Sequence, residues 1–356
     1  MASTRPTHLY AGAGYVKTKS GSRYRGGLFR CNAAEGRWEA LTNGLPENVE
    51  ARVFAFDPRS PKTMYVGTND GPYRSDDGGD HWERLGFPER GAVVWALTFH
   101  PTRPEIMYAG LAPVGVFRSE DSGSTWRKLP GAVDTGHCPM GFPTRALGIA
   151  VDPGCPDDVY VALEVSGVIH SRDGGETWTD LSAPLIKLSE HPHLRSRLSS
   201  STDASGMLDS HAITISRAKP GRAVLGVRMG LFATEDHGAT WYDMQVGRYS
   251  QLTYCRDVIC SPHDPQVMYA GLSASSRGTE GSIHRSDDAG ATWNRLDNGI
   301  KAEATIMSVA VHPTDASQIC AVSRCGQVFA SRDNGTSWRE YGLAADVRDV
   351  YAVACC

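Results

Sequence analysis

Ser119-Glu-Asp-Ser-Gly-Ser-Thr-Trp126 is an octapeptide that returns, with small changes, along most of a 356-residue chain. Clear copies run Ser75 to Trp82, Ser119 to Trp126, Ser171 to Trp178, Thr234 to Trp241, Ser286 to Trp293 and Ser331 to Trp338. A seventh, Phe29 to Trp38, keeps the Phe-to-Trp spacing and has lost the Asp and Gly. Successive Asp residues at 77, 121, 173, 236, 288 and 333 stand 44 to 63 residues apart. That is the period of one supersecondary unit packed against copies of itself. Each recurring residue has a local task. Asp accepts from backbone N–H groups of a tight turn, Gly supplies positive φ, and the Ser and Thr hydroxyls close the turn. Trp offers a large apolar face between sheets. Seven of the eight Trp residues sit at this one position, which is scaffold behaviour.

Working outward, the same four strand patterns flank each copy. Around Ser119 they read VVWALTF (93–99), IMYAGL (106–111), GVFRSED (115–121) and TWRKL (125–129). A Pro-rich reverse turn such as DPRSP, HPTRP or DPGCP joins the first two. The chain opens on a second-strand pattern, HLYAGAG, and closes on a first-strand pattern, VRDVYAVA (347–354). The expected fold is therefore all-β: one domain over 1–356, a seven-bladed β-propeller of four-stranded antiparallel blades. Blade 1 is closed by strands from both termini, leaving no free edge.

Composition narrows the function classes. The net charge of -4 and pI of about 6.3 give none of the basic field that nucleic-acid binders carry. No apolar run approaches the ~18 residues of a membrane helix. The start, MASTRPTHLYAG, has no apolar core of a signal peptide. Nine scattered Cys residues without a CxxC pair read as reduced thiols of a cytoplasmic protein. No nucleophile elbow, P-loop, HExxH or dinucleotide glycine motif is present.

Six copies of the S-x-D-x-G-x-T-W pattern make the chain resemble the Asp-box, or BNR-repeat, β-propellers. That group includes sialidases, xyloglucan-degrading glycosidases, sortilin-like receptors and photosystem II assembly factors. The resemblance covers nearly the whole chain. A sialidase-like glycosidase implies an Arg-Ile-Pro motif, an arginine triad and a Tyr/Glu pair on six blades; this chain has the arginines without that motif. Xyloglucanases imply two propellers with a carboxylate pair across a cleft. The assembly factors imply seven blades and an arginine-rich face.

The repeats stop agreeing on the face opposite the octapeptides. The long connections 13–25, 130–144, 182–210 and 273–281 all fall there, and function concentrates on such loops. The residue entering the central funnel from each innermost strand reads Arg52, Trp95, Leu147, His211, Arg256, Met307 and, in the last, Arg348 or Asp349. With Arg145, Arg228 and Arg324, six arginines are expected on one rim: Arg52, Arg145, Arg228, Arg256, Arg324 and Arg348. Two arrangements fit such a rim. Either it pairs with Glu50, Glu164, Asp257 and Asp349 as a satisfied network, or it binds an anionic ligand. Trp95 is either a stacking platform or a core aromatic.

Two functions follow. One is a hydrolase or lyase acting on a small anionic molecule, with the arginines as anchor and His211, Glu164 or Tyr254 moving the proton. The other is a non-catalytic module docking an acidic partner protein on the same rim. His137, His191, His193 and His211 offer a possible divalent-metal ligand set. His100 and His312 occupy the Pro-turn position filled elsewhere by Asp57 and Asp152, and His81 replaces an octapeptide Thr, so these three are structural. The Ser-rich stretch 195–206 is expected to be a mobile flap.

Overall fold

The computed structural model of the chain describes residues 7–17, 23–198 and 202–356. Seven four-stranded antiparallel sheets are arranged so that the innermost strand of each packs on those of its two neighbours around a ring. In blade 1, Val350–Cys355 pairs with His8–Ala13, which pairs with Gly27–Asn32 and then Arg37–Leu41. The ends are latched by His8 N–H to the Cys356 carbonyl at 2.7 Å and Cys356 N–H to His8 at 3.0 Å. The expected closure by both termini is present.

The octapeptide turns are hydrogen-bonded as their composition requires. Ser119 Oγ donates to Asp121 Oδ1 at 2.8 Å and accepts from Gly123 N–H at 2.8 Å. Thr125 gives its N–H to Asp121 Oδ1 at 2.8 Å and its hydroxyl to Oδ2 at 2.6 Å. The same four bonds recur at Thr234, Asp236, Gly238 and Thr240. The residue between Asp and Gly is always left-handed: Gly78, Ser122, Gly174, His237, Ala289 and Asn334 all have φ between 54° and 78°. At the Pro turns, His100 Nδ1 accepts the Thr102 and Arg103 N–H groups as Asp57 Oδ1 accepts that of Arg59. Imidazole replaces carboxylate there as a turn acceptor, the structural role expected for His100 and shared by His312.

The core is seven interfaces rather than one centre. Among the described residues there are seven apolar clusters, and each holds one octapeptide Trp packed on the preceding blade. Trp126 of blade 3 lies with Tyr65 and Leu85 of blade 2, and Trp38 of the degraded copy lies with Cys320 and Tyr341 of blade 7. The blades can approach closely because a glycine faces the next inner strand. A Cβ on Gly110 would stand 2.8 Å from the Ala146 carbonyl oxygen and 2.9 Å from its Cβ.

One irregularity positions the functional face. Every innermost strand carries a bulge, at Arg52, Trp95, Leu147, His211, Arg256, Met307 and Tyr351. A bulge adds an unpaired residue and re-aims its side chain. Here all seven point into the axial channel, which they line together. Six of these match the expected funnel column. The seventh is corrected: Tyr351 enters the funnel, because the register skips it rather than Arg348 or Asp349.

The Ser or Thr hydroxyl that opens each clear octapeptide is buried and, as at Ser286, makes three bonds, so its loss leaves a buried Gly N–H unpaired. Ser286→Ala is expected to lower unfolding free energy by about 1–3 kcal/mol in urea titrations. Ser286→Thr, which copies Thr234 of blade 5, is expected to cost less than half as much.

Candidate functional site

The mouth of the channel opens on the face opposite the octapeptides, as a cavity of about 590 Å³. Three of the long connections build its walls: Met140 and Phe142 come from 130–144, Leu198 from 182–210, and Ser276 and Arg277 from 273–281; of the fourth, 13–25, residues 18–22 lie outside the described residues. The described residues of segment 182–210 are folded onto the propeller. They form a helix, Ser182–Leu188, and a short turn, Pro192–Leu194, and they bury Leu185, Leu194, Met207 and Leu208 between blades 4 and 5. Of the stretch expected to be a flap, 199–201 lie outside the described residues. Its flanks are tied down, with Ser205 Oγ receiving the Leu198 N–H at 2.8 Å and Ala204 buried.

The arginine rim is largely self-neutralised. Arg52 is bonded to Glu50, Arg145 lies 3.2 Å from Glu164, and Arg324 is bonded to Asp349 and to the Ser276 carbonyl. Arg228 and Arg256 have no carboxylate within 4 Å among the described residues, yet both act on Asp209. Arg348 is corrected: it donates to the Cys325 carbonyl at 2.7 Å and does not line the mouth. Trp95 is no open platform either. The Arg52 and Arg145 guanidiniums cover its ring at 4.5 and 4.6 Å, and Tyr351 meets its edge at 5.3 Å. It is a clamped core aromatic, 8% exposed.

Of the proposed proton-transfer residues, His211 and Tyr254 meet, while Glu164 pairs with Arg145. His211, Glu164 and Tyr254 all line the mouth. His211 Nδ1–H donates to the Cys255 carbonyl at 2.7 Å, which leaves Nε2 facing the Tyr254 hydroxyl at 3.2 Å and Asp209 Oδ1 at 3.3 Å. A neutral ring accepts from Tyr254; a protonated ring donates to Asp209. Burial first, then Asp209, pushes the Tyr254 phenol up to about 12, so it remains a donor. Burial would raise the Asp209 carboxyl, but His211, Arg228 and Arg256 outweigh it and hold it below the ordinary range. Asp209 was not singled out from sequence; Asp209-Ser-His211 at a strand start was the available signal.

Asp257, expected to neutralise an arginine, instead accepts the Val309 N–H at 2.8 Å inside the channel. Burial raises its carboxyl to about 6 against those hydrogen bonds and Arg256. The mouth therefore holds a carboxyl kept below the ordinary range, and the channel one raised to about 6.

The imidazoles offered as metal ligands are not assembled. His137 Nε2 bonds Asp180 at 2.6 Å, His193 faces Asp243 at 3.8 Å, and His211 is buried in the mouth. The His191 and His193 rings lie 6.0 Å apart. The sequence reading missed a different group, Asp158, His170 and His237, on the octapeptide face.

Fold and mouth together define a seven-bladed β-propeller with a mixed-charge funnel. No protein-family model matches the chain. It is similar to a xyloglucanase of Hypocrea jecorina, 24% identical over 375 residues, covering 94% of this chain and 39% of that protein. Among solved structures it resembles the GH74 xyloglucanase of Xanthomonas campestris, with TM-score 0.61 and 17% identity over 85% of this chain and 46% of that one. It also resembles YCF48 of Cyanidioschyzon merolae, with TM-score 0.56 and 14% identity over 83% of this chain and 86% of that one. Those two likenesses concern the fold. The chain spans less than half the length of the xyloglucanases it matches. These relatives correct the expected partner: they are named for a polysaccharide, not for a small anionic molecule or an acidic protein.

Asp209 is ionised and buried among cations, so removing its charge strands them. Asp209→Asn is expected to lower stability by about 3 kcal/mol at neutral pH, read from urea midpoints. A folded carboxyl held below its unfolded value stabilises above the ordinary carboxylate range and ceases to as pH falls through the folded value. The difference between wild type and variant should therefore shrink in acid.

Proposed function

We propose that this propeller is a glycoside hydrolase that takes a xyloglucan-type polysaccharide at the mouth opposite the octapeptide turns. The octapeptides are, on this reading, Asp-box repeats. The observation that carries it is the opposed tuning of two carboxyls, Asp209 held low at the mouth and Asp257 raised to about 6 in the channel. Glycosidic hydrolysis needs one carboxylic acid to protonate the leaving oxygen and a second carboxylate to act as base or nucleophile. Environments that separate two carboxyl groups in this way assign the two roles. Asp257 would be the acid and Asp209, aligned by His211 with Tyr254 behind it, the carboxylate. The pairing of Arg52, Arg145 and Arg324 with carboxylates supports an uncharged, hydroxyl-rich ligand over an anion: such pairs offer donors and acceptors side by side with little net charge. The similarity to the Hypocrea jecorina xyloglucanase, over 94% of this chain, supports the substrate class.

Release of new reducing ends from soluble xyloglucan tests this, alongside calorimetric binding. Asp257→Asn is expected to lower kcat by about 10²–10⁴-fold with little change in binding. The wild-type rate should fall as pH rises through about 6, where the Asp257 proton is lost. Binding without any release of reducing ends would sink the hydrolase and leave a glycan-binding propeller. Absence of both would sink the substrate class as well.

A further inference from the structure

At the junction of blades 4 and 5, on the face opposite the mouth, three repeat positions depart from pattern together. The third-strand residue before the octapeptide Ser is Arg74, Arg118 or Arg285 in blades 2, 3 and 6, each guanidinium lying 5.7–5.9 Å from a Tyr ring. In blade 4 it is His170, stacked on Tyr160 at 4.0 Å. The last residue of the Pro turn is Thr63, Ile106, Val267 or Gln318 in blades 2, 3, 6 and 7, but Asp158 in blade 4. The left-handed octapeptide residue is Gly, Ser, Ala or Asn in the other copies, but His237 in blade 5. Tyr10, Tyr65 and Tyr108 donate to the carbonyl of that left-handed residue in the next blade, whereas the Tyr160 hydroxyl lies 3.4 Å from His237 Nδ1.

The three departures converge. His237 Nδ1 is 3.1 Å from Asp158 Oδ2, His170 Nε2 is 3.5 Å from Asp158 Oδ1, and one donor atom from each residue lies within 4.8 Å of the others. His170 is 3% exposed, and its Nε2 has no hydrogen-bond partner among the described residues. An orphaned buried imidazole nitrogen aimed at a carboxylate and a second imidazole calls for an electrophile between them. We propose that His170, His237 and Asp158 form a site for a divalent transition-metal ion of the zinc class.

Two neutral imidazoles and one carboxylate are a donor set that such ions favour, and three protein ligands leave a position for water. Tetrahedral bonds of about 2.0–2.1 Å put ligand atoms roughly 3.4 Å apart, so the donors need only small shifts. His237 is 38% exposed, which lets the ion and its water enter. The bound ion would join the Pro turn and third strand of blade 4 to the octapeptide of blade 5. The site is independent of the polysaccharide reading, because it lies on the other face and shares no residue with the mouth.

Zinc titration of the full chain by calorimetry tests it, with thermal melting as a second readout. The informative variant is His237→Asn, since Asn334 already holds the same left-handed position in blade 7. Wild type is expected to bind one strong equivalent and to melt at a higher temperature with zinc. His237→Asn should melt like wild type without metal and bind that equivalent about tenfold or more weakly. Asp158→Asn should do the same, while the double variant His191→Ala, His193→Ala retains the strong equivalent. Equal stoichiometry and affinity in wild type and His237→Asn would overturn the site, as would loss of the strong equivalent in the double variant. Cobalt in place of zinc should show intense visible d–d absorption in wild type that is absent in His237→Asn.

Discussion

The pairing of Val350–Cys355 with His8–Ala13 holds the ring shut, and the other interfaces depend on it. A propeller blade exposes both flanks of its sheet unless a neighbour covers them, and an open arc would leave two bare flanks and a free strand edge. Closure places blade 7 on blade 1, so that Trp38 packs with Cys320 and Tyr341 as each other octapeptide Trp packs on its preceding blade. Seven equivalent interfaces follow from one long-range strand pair. The loop closed is nearly the whole chain, and its entropic cost grows only slowly with length.

Closure also sets the chemistry of the axis. Once seven inner strands stand in a ring, one bulge in each turns a side chain into a common channel. What those seven residues are is unconstrained by the sheet ladder, because a bulged residue is left unpaired. The scaffold is therefore repetitive while the funnel is free to vary. The same division holds on the octapeptide face, where three side-chain bonds are repeated in all six clear copies and a fourth in five, while the left-handed residue between Asp and Gly varies. Both proposed sites lie at positions the repeat leaves open.

Much of the architecture was legible from local patterns. The octapeptide and the Pro turns are short-range signals enforced by hydrogen bonding within a few residues, and the split first blade shows as a strand pattern at each end of the chain that only the long-range pairing joins. The funnel column was legible for the same reason, apart from Tyr351, whose bulge lies in the strand donated by the C-terminus. The fates of Arg348 and Trp95 were not legible. Arg348 turns to the Cys325 carbonyl, and Trp95 is clamped between guanidiniums from two different blades. Such contacts join residues far apart in the chain, and no spacing rule reports them.

The repeat specified in the linear chain a ring of seven blades, the turn face and the face where loops diverge, because each copy is stabilised by bonds inside its own turn. Packing in three dimensions determined which charges neutralise one another, which carboxyl stays ionised, and which histidines meet. Those outcomes turn on burial and on distances of a few ångströms between blades. Asp209 and Asp257 have the same side chain, and their carboxyls diverge because one is buried among cations and the other against a backbone N–H and apolar walls. Likewise His170 and His237 are 67 residues apart in the chain and become neighbours when blade 5 docks on blade 4.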